Sequence, residues 1–301
     1  MAEEPAESEG EGGGSGRGGA PSMWWLIIAA AALIALAVVA IAIPVFMKRS
    51  GGGSTNGLAS GNSSAGNSGT GEDHIDMDEF DGDDQNSALQ KGMYSGQYVV
   101  VIPKDCGTPM TVKMRRSFLL SHNRHRSRAA KGMFTVKNPG SMLHVLPTAA
   151  RMPALQYNCS LEQLSMKWAH QVQCQMVHSD YDLGENLFAM TGTGEMEHLE
   201  EAAETATDVW VEEIDKFGIS ASLTYESQIG HATQVLWGGT ETLGCGVLPC
   251  KNGWIMAICE YYPRGNVIGY PMYKAGKTLS ECGLGGRREI AHSKTGLCLI
   301  S

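Results

Sequence analysis

Hydrophobic and polar positions divide the chain into stretches of unlike pattern, and only the last is patterned like a folded domain. Residues 1–22 are rich in Glu, Gly and Ser with no hydrophobic periodicity. They bury too little apolar surface to offset chain entropy, so a disordered acidic arm is expected. The next 23 residues, Trp24 to Phe46, carry no charge. As a helix they would reach about 35 Å, enough to cross a hydrocarbon core of about 30 Å. A transmembrane signal anchor is therefore expected over 23–47, with Trp24 and Trp25 at one interface and Lys48 and Arg49 at the other. The rival is a cleaved signal peptide ending near the small residues Ala40 and Ala42; the length of the run and the acidic segment before it argue against this. Residues 48–104 read as a flexible stalk, with 50–70 almost wholly Gly, Ser, Asn and Thr and eight carboxylates between Glu72 and Asp84. A calcium loop starting at Asp76 would need Gly at its sixth position, where Asp81 stands.

From about Cys106 the pattern becomes globular. MRRSFLLSHNRHRSRAAKG, 114–132, predicts a helix stopped by Gly132, with solvated basic residues over an apolar stripe that includes Met114 and Phe118. A second helix is signalled by Ser160 and Gln163, spaced as a capping box, and by Leu161, Leu164, Trp168 and Val172 at helical spacing. A third covers 197–218, with Gly218 as its stop. Afterwards short β-rich runs, HATQVLW, LGCGVLPC and GWIMAICEYYP, are separated by Gly and Asn turns. Helices first and hairpins later imply an α+β fold in which helices pack on an antiparallel sheet.

Charge and cysteine content set the compartment. The net charge of -9 belongs to the front third: 1–104 hold 5 Lys/Arg against 13 Asp/Glu, and the rest hold 18 against 19. Neither part carries the basic stripe of a nucleic-acid binder. All eight cysteines lie between Cys106 and Cys298, an even set that reads as a disulfide framework in an oxidising compartment. Asn62 and Asn158 open glycosylation triplets that point the same way. Lys48 and Arg49 favour a cytoplasmic C-terminal side, but long domains translocate largely regardless of flanking charge, so the domain is expected outside the cell.

Four scattered residues invite chemistry. His178 follows the second helix, Glu185 sits in the loop LGENLF, Glu213 lies in the third helix, and His231 begins a strand in IGHATQVLW. Two imidazoles and two carboxylates suit a zinc-like ion. Their spacing does not by itself bring them together, since nothing here matches two histidines on one helical face.

Seven motifs in one order complete the reading: SHNRHR at 121–126, CQMVHS at 174–179, LGENL at 183–187, WVEEI at 210–214, GHATQVLW at 230–237, GCG at 244–246 and CEYYPRGN at 259–266. In that order the chain resembles the CAP superfamily, also called SCP/TAPS, which includes cysteine-rich secretory, plant pathogenesis-related and venom-allergen-like proteins. The resemblance implies a three-layer α-β-α sandwich over 105–275 followed by a short Cys-containing extension, 276–301. It implies that His178, Glu185, Glu213 and His231 converge in a cleft that takes a divalent cation such as zinc, the imidazoles ligating and the carboxylates ligating or orienting water. A hydrogen-bonded polar cluster without metal is the alternative. The family pattern pairs Cys174 with Cys250 and Cys245 with Cys259, with Cys106–Cys159 and Cys282–Cys298 as the remaining pairs. Only Cys282 and Cys298 follow the domain, so the channel-regulating module of cysteine-rich secretory proteins is missing and no channel activity carries over.

Three functions are compatible with these features. The one favoured is a membrane-tethered extracellular protein that binds a protein partner, or a sterol or fatty acid, in cell-surface signalling. A secreted venom-allergen-like lipid carrier is the alternative. A metal- or histidine-dependent hydrolase is disfavoured, because the position six after Glu185 that serves as a nucleophile in some proposals is Thr191, and no GxSxG motif occurs.

Overall fold

The computed structural model describes residues 72–76 and 99–300. The apolar run Trp24–Phe46, the acceptor Asn62 and most of the expected stalk lie outside them. Among the described residues no helix is long and apolar enough to cross a membrane. Strand β1 (Glu72–Asp76) pairs antiparallel with β2 (Val99–Pro103). Both fall in the stretch read as stalk, and Val100 and Ile102 are buried in the main core. Ordered structure therefore begins before Cys106.

Helix α1 (Val112–Ala130) starts where the Met114 N–H donates to Thr111 Oγ1, at 3.1 Å. The expectation of solvated charges over an apolar stripe fails here. Arg115, His122 and Arg126 are fully buried beside Phe118 and Leu119, because the two arginines meet fixed acceptors from other elements and the neutral imidazole is held between the Phe118 carbonyl and the Tyr261 hydroxyl. After the two-residue strand β3 (Gln156–Tyr157) comes α2 (Cys159–Val172). Arg115 forks onto Glu162 of α2, with Nε to Oε2 at 2.6 Å and Nη2 to Oε1 at 2.9 Å, and the Tyr157 hydroxyl donates to the same carboxylate at 2.8 Å. The expected capping box also gives way. Asn158 Oδ1 accepts from Ser160 N–H at 2.8 Å and Leu161 N–H at 3.3 Å, while Gln163 donates to the Cys106 carbonyl at 2.7 Å. Asn is as good an N-cap as Ser, and here it stands two positions nearer the end of β3.

Next in the chain are β4 (Gly184–Thr191), α3 (Met196–Phe217), the short helix α4 (Gly230–Val235), β5 (Thr242–Pro249) and β6 (Trp254–Tyr262). The main sheet has the order β3-β5-β6-β4. It is mixed rather than antiparallel: β5–β6 and β4–β6 are antiparallel but β3 runs parallel to β5. β3 leads into a helix instead of a hairpin turn, which frees it to take the parallel direction. Side chains alternate between the two faces of a sheet. On one face Leu187, Met256 and Ile258 pack with Ala169 of α2. On the other, Tyr261 meets His122 of α1, which also contacts Trp210 of α3. Helices thus cover both faces, giving the α-β-α sandwich.

Gly244 lets α2 lie close to β5. A Cβ there would press into the backbone of Asn158, Leu161 and Glu162. Gly244→Ala is expected to lower stability by about 2 kcal/mol, the usual cost of overpacking. A urea midpoint unchanged from the wild type would show that α2 can simply move away.

The C-terminal hairpin, β7 (Glu289–His292) and β8 (Leu297–Ile300), sends Leu297 and Leu299 into the main core. Four disulfides form, Cys106–Cys159, Cys174–Cys250, Cys245–Cys259 and Cys282–Cys298, matching the implied pairing throughout.

Candidate cation-binding cleft

Two carboxylate–imidazole pairs, rather than one cluster of four, occupy the sheet end. α2 finishes in left-handed backbone at Gln173 and Cys174, and the Cys174–Cys250 disulfide ties this turn to the end of β5. The segment that follows delivers His178, whose Nδ1–H donates to Glu185 Oε1 at 2.6 Å. Glu185 is not in a loop, as its neighbours suggested, but the second residue of β4. Its carboxylate also accepts the Ser179 N–H at 3.0 Å. Burial alone would raise the Glu185 carboxyl, but the hydrogen bonds with His178, with the protonated Glu260 carboxyl and with Ser179 outweigh it and hold it below the ordinary carboxylate range. The same hydrogen bond raises His178 above the usual imidazole value.

The second pair is built on helices. His231 does not begin a strand: IGHATQVLW forms a 3-10 turn and then α4. The reason lies in α3, where Glu213 accepts from His231 Nδ1–H at 2.5 Å and from the backbone N–H groups of His231 and Ala232 at 3.0 and 3.2 Å. A carboxylate from another helix satisfies the free N–H groups that open α4. The His231 ring lies parallel to Trp210 at 6.2 Å between centroids. Asn186, next to Glu185 on β4, donates to the His231 carbonyl at 3.1 Å and links the two pairs.

In both pairs the carboxylate takes the Nδ1–H, which leaves Nε2 as the nitrogen with a free lone pair. This is the arrangement by which carboxylates orient metal-binding histidines. Each imidazole therefore presents Nε2 as a donor of the kind a borderline divalent cation takes, with Glu185 and Glu213 as the orienting groups. Among the described residues no three His, Cys, Asp or Glu side chains converge closely enough to form a ready-made metal cage.

Sequence reasoning missed Glu260. It lies inside the motif CEYYPRGN, but only the β4–β6 register, which sets Glu185 opposite Glu260, brings it to the cleft. Glu260 is fully buried, and burial together with the charge of Glu185 pushes its carboxyl up to about 9. The two carboxyl groups face each other closely enough for Glu185 to attract a proton on Glu260. Among the described residues no group other than Glu185 engages either Glu260 oxygen. Thr191, the position on which a hydrolase reading would rest, ends β4 six residues beyond Glu185. At about 3.3 Å per residue that is about 20 Å from the pair, too far for either cleft histidine to activate it.

Residues 119–261 match the Cysteine-rich secretory protein family, CAP. The secreted protein of Ancylostoma caninum is 31% identical over 229 residues, covering 71% of this chain and 51% of the relative. The chain thus spans about half the length of that relative. Venom allergen 5 of Polistes dominula is 32% identical over 175 residues, covering 54% of this chain and 73% of the allergen. Among solved structures, NaASP2 with Zn2+ is 31% identical with a TM-score of 0.56, covering 64% of this chain and 98% of that one.

Proposed function

The chain belongs to the cysteine-rich secretory protein (CAP) family, and from that premise we propose that it is a membrane-tethered extracellular binding protein whose cleft takes a divalent cation. Nε2 of His178 and Nε2 of His231 are the ligands, and zinc is the ion. The observation that carries this reading is the pair of Nδ1–carboxylate hydrogen bonds, at 2.6 and 2.5 Å, which fix both tautomers with Nε2 free. It is supported by the 31% identical NaASP2, whose crystal structure is of the protein with Zn2+. The tether is the uncharged run Trp24–Phe46, and the four disulfides suit an oxidising exterior. Bound to the membrane, the domain presents its surface to a protein partner, and cation occupancy fixes the otherwise half-exposed His178 segment.

Calorimetric titration of the oxidised full-length protein with zinc is the test. The wild type is expected to bind one ion, and His178→Ala with His231→Ala to weaken it at least about a hundredfold, since two ligands of the outer-shell-oriented kind are lost. Equal binding in both proteins would remove the two imidazoles from the site.

An apolar ligand is a second reading, favoured by an open cavity of about 430 Å³ near the cleft motif GHATQVLW, lined by Trp237, Val267, Pro271, Met272 and Tyr273 with Arg151 and Lys274. Such a volume is of the size that holds a small ligand. A fluorescent sterol whose binding is unaffected by Met272→Glu would not be using it.

A further inference from the structure

Two pairs of adjacent basic residues fall among the described residues, Arg115–Arg116 and Arg287–Arg288, and their surroundings are opposite. The first lies near the start of α1, where Arg115 is fully buried against Glu162. The second lies in the loop between Cys282 and β7, where Leu284, Gly285, Gly286, Arg287 and Arg288 are all exposed. Gly285 and Gly286 hold φ of 71° and 79°, left-handed backbone that glycine adopts without strain, and a Cβ at Gly286 would meet no atom within 4 Å. Arg287 folds back on its own loop, its Nη1–H donating to the Leu284 carbonyl at 2.8 Å. An exposed tip built of small residues is where a chain is most readily nicked, since its glycines let it extend into the groove of a protease.

Both ends of this loop are fastened. Glu289, the residue after the pair, has a side chain only 2% exposed. Its carboxylate accepts from Arg151 Nε at 2.8 Å and from the Gly283 N–H at 3.0 Å, which closes the loop at its base. The Cys282–Cys298 disulfide spans the pair. On its far side Leu297 and Leu299 lie in the main core, the Cys298 N–H donates to the Met152 carbonyl at 2.8 Å, and the Cys298 carbonyl accepts from Ala154 at 2.9 Å. A cut between Arg288 and Glu289 therefore leaves the C-terminal piece in place.

We propose that the Arg287–Arg288 loop is a processing site, at which an endopeptidase selective for paired basic residues converts the protein to a two-chain, disulfide-linked form. Water is the co-reactant. Its hydroxyl goes to the carbonyl carbon of Arg288, the bond from that carbon to the Glu289 nitrogen breaks, and the nitrogen takes the remaining hydrogen and the acid proton, leaving a carboxylate and an ammonium. Recognition comes from the two guanidiniums, fixed cations whose forked donors suit carboxylates in the subsites of the enzyme. Glu281, next to Cys282, and Arg151, the partner of Glu289, both line the open cavity, so the cut falls beside its wall. The loop offers this site whether or not the cleft holds an ion.

The test is digestion of the folded, oxidised full-length protein by a subtilisin-like endopeptidase selective for paired basic residues, followed by mass spectrometry with and without reduction. The peptide Glu289–Ser301 is expected to come free on reduction and to stay attached without it, while Arg115–Arg116 remains uncut until urea unfolds the domain. Cleavage at Lys48–Arg49 leaves this peptide unchanged. Arg288→Gln is expected to slow release at least about a hundredfold, because a site built to bond a polar group rejects a substrate that lacks it. Arg287→Gln, which keeps the single arginine before the cut, is expected to slow it as well. Equal rates of release in wild type and Arg288→Gln overturn the inference, and so does a peptide that appears only after unfolding or not at all. A peptide free before reduction overturns the two-chain form.

Discussion

Arg126→Met is expected to leave little or no cooperatively folded domain at 25 °C. The guanidinium is fully buried in α1 and bonds no carboxylate. Its Nε donates to the Pro153 carbonyl at 3.0 Å, Nη1 to Val235 and Trp237 at 3.0 and 2.8 Å, and Nη2 to Thr240 at 3.1 Å. Burial, with the nearby charge of Arg151, pushes Arg126 down to about 9, so it keeps its charge and all its donors at neutral pH. Methionine fills similar space and donates nothing. The Trp237 carbonyl keeps the Thr240 N–H, but the other three lose their guanidinium donor. At about 1–3 kcal/mol for each buried acceptor left unpaired, the loss is about 3–9 kcal/mol, comparable with the whole stability of a typical domain. Arg126→Lys should fall between the two proteins, because an ammonium directs its donors from one point and cannot span acceptors spread over three segments. Urea denaturation followed by circular dichroism decides it. A methionine variant within about 1 kcal/mol of the wild type would mean that these carbonyls find water or other donors.

Acidification is expected to weaken the fold through His122 by about 1.4 kcal/mol per pH unit below 6.5, accumulating to on the order of 5 kcal/mol by pH 3. His122 is fully buried against Trp210 and Tyr261. Its Nδ1–H donates to the Phe118 carbonyl at 2.7 Å, and its Nε2 accepts from the Tyr261 hydroxyl at 2.8 Å, which requires the neutral ring. Burial lowers it to about 3, helped by the charges of Arg126 and His125; the Phe118 carbonyl and Asp208 pull the other way without prevailing. The unfolded chain protonates this histidine near 6.5, whereas the folded protein resists until about 3. Between these values the unfolded state binds more protons, so stability is full above 6.5 and declines as pH falls. His125 is also lowered by burial and acts in the same direction. The informative quantity is therefore the difference in slope between wild type and His122→Gln over pH 6.5 to 4. A slope smaller in the variant by about one proton is expected. Identical slopes would place the acid sensitivity elsewhere.

Much of the architecture was readable from local pattern. α2, α3, β5 and β6 carry apolar residues at their own periods, and Gly218 stops α3 at a left-handed position with φ of 78°. Failures came where one element decided the state of another. HATQVLW looks like a strand because it is short and holds the β-branched Thr233 and Val235 beside Trp237, yet Glu213, distant in sequence, supplies the acceptors that open it as a helix. The arginines of α1 look solvated because arginine usually is, and only Glu162 and a set of backbone carbonyls gathered from elsewhere make their burial affordable.

The sequence by itself determined the inventory: the uncharged run, the eight cysteines, the order of motifs, and the two histidines and two glutamates of the cleft. The run and the cysteines follow from residue type and near-neighbour spacing, whereas the grouping of the two histidines and two glutamates is what the resemblance carried by the motif order implies. Tertiary structure alone decided which imidazole nitrogen is free, that the four residues stand as two hydrogen-bonded pairs, and that Glu260 stands opposite Glu185. Tautomer, pairing and burial all depend on partners brought together by strand register and helix packing, and no local pattern along a chain encodes the distance between residues 75 positions apart, as Glu185 and Glu260 are.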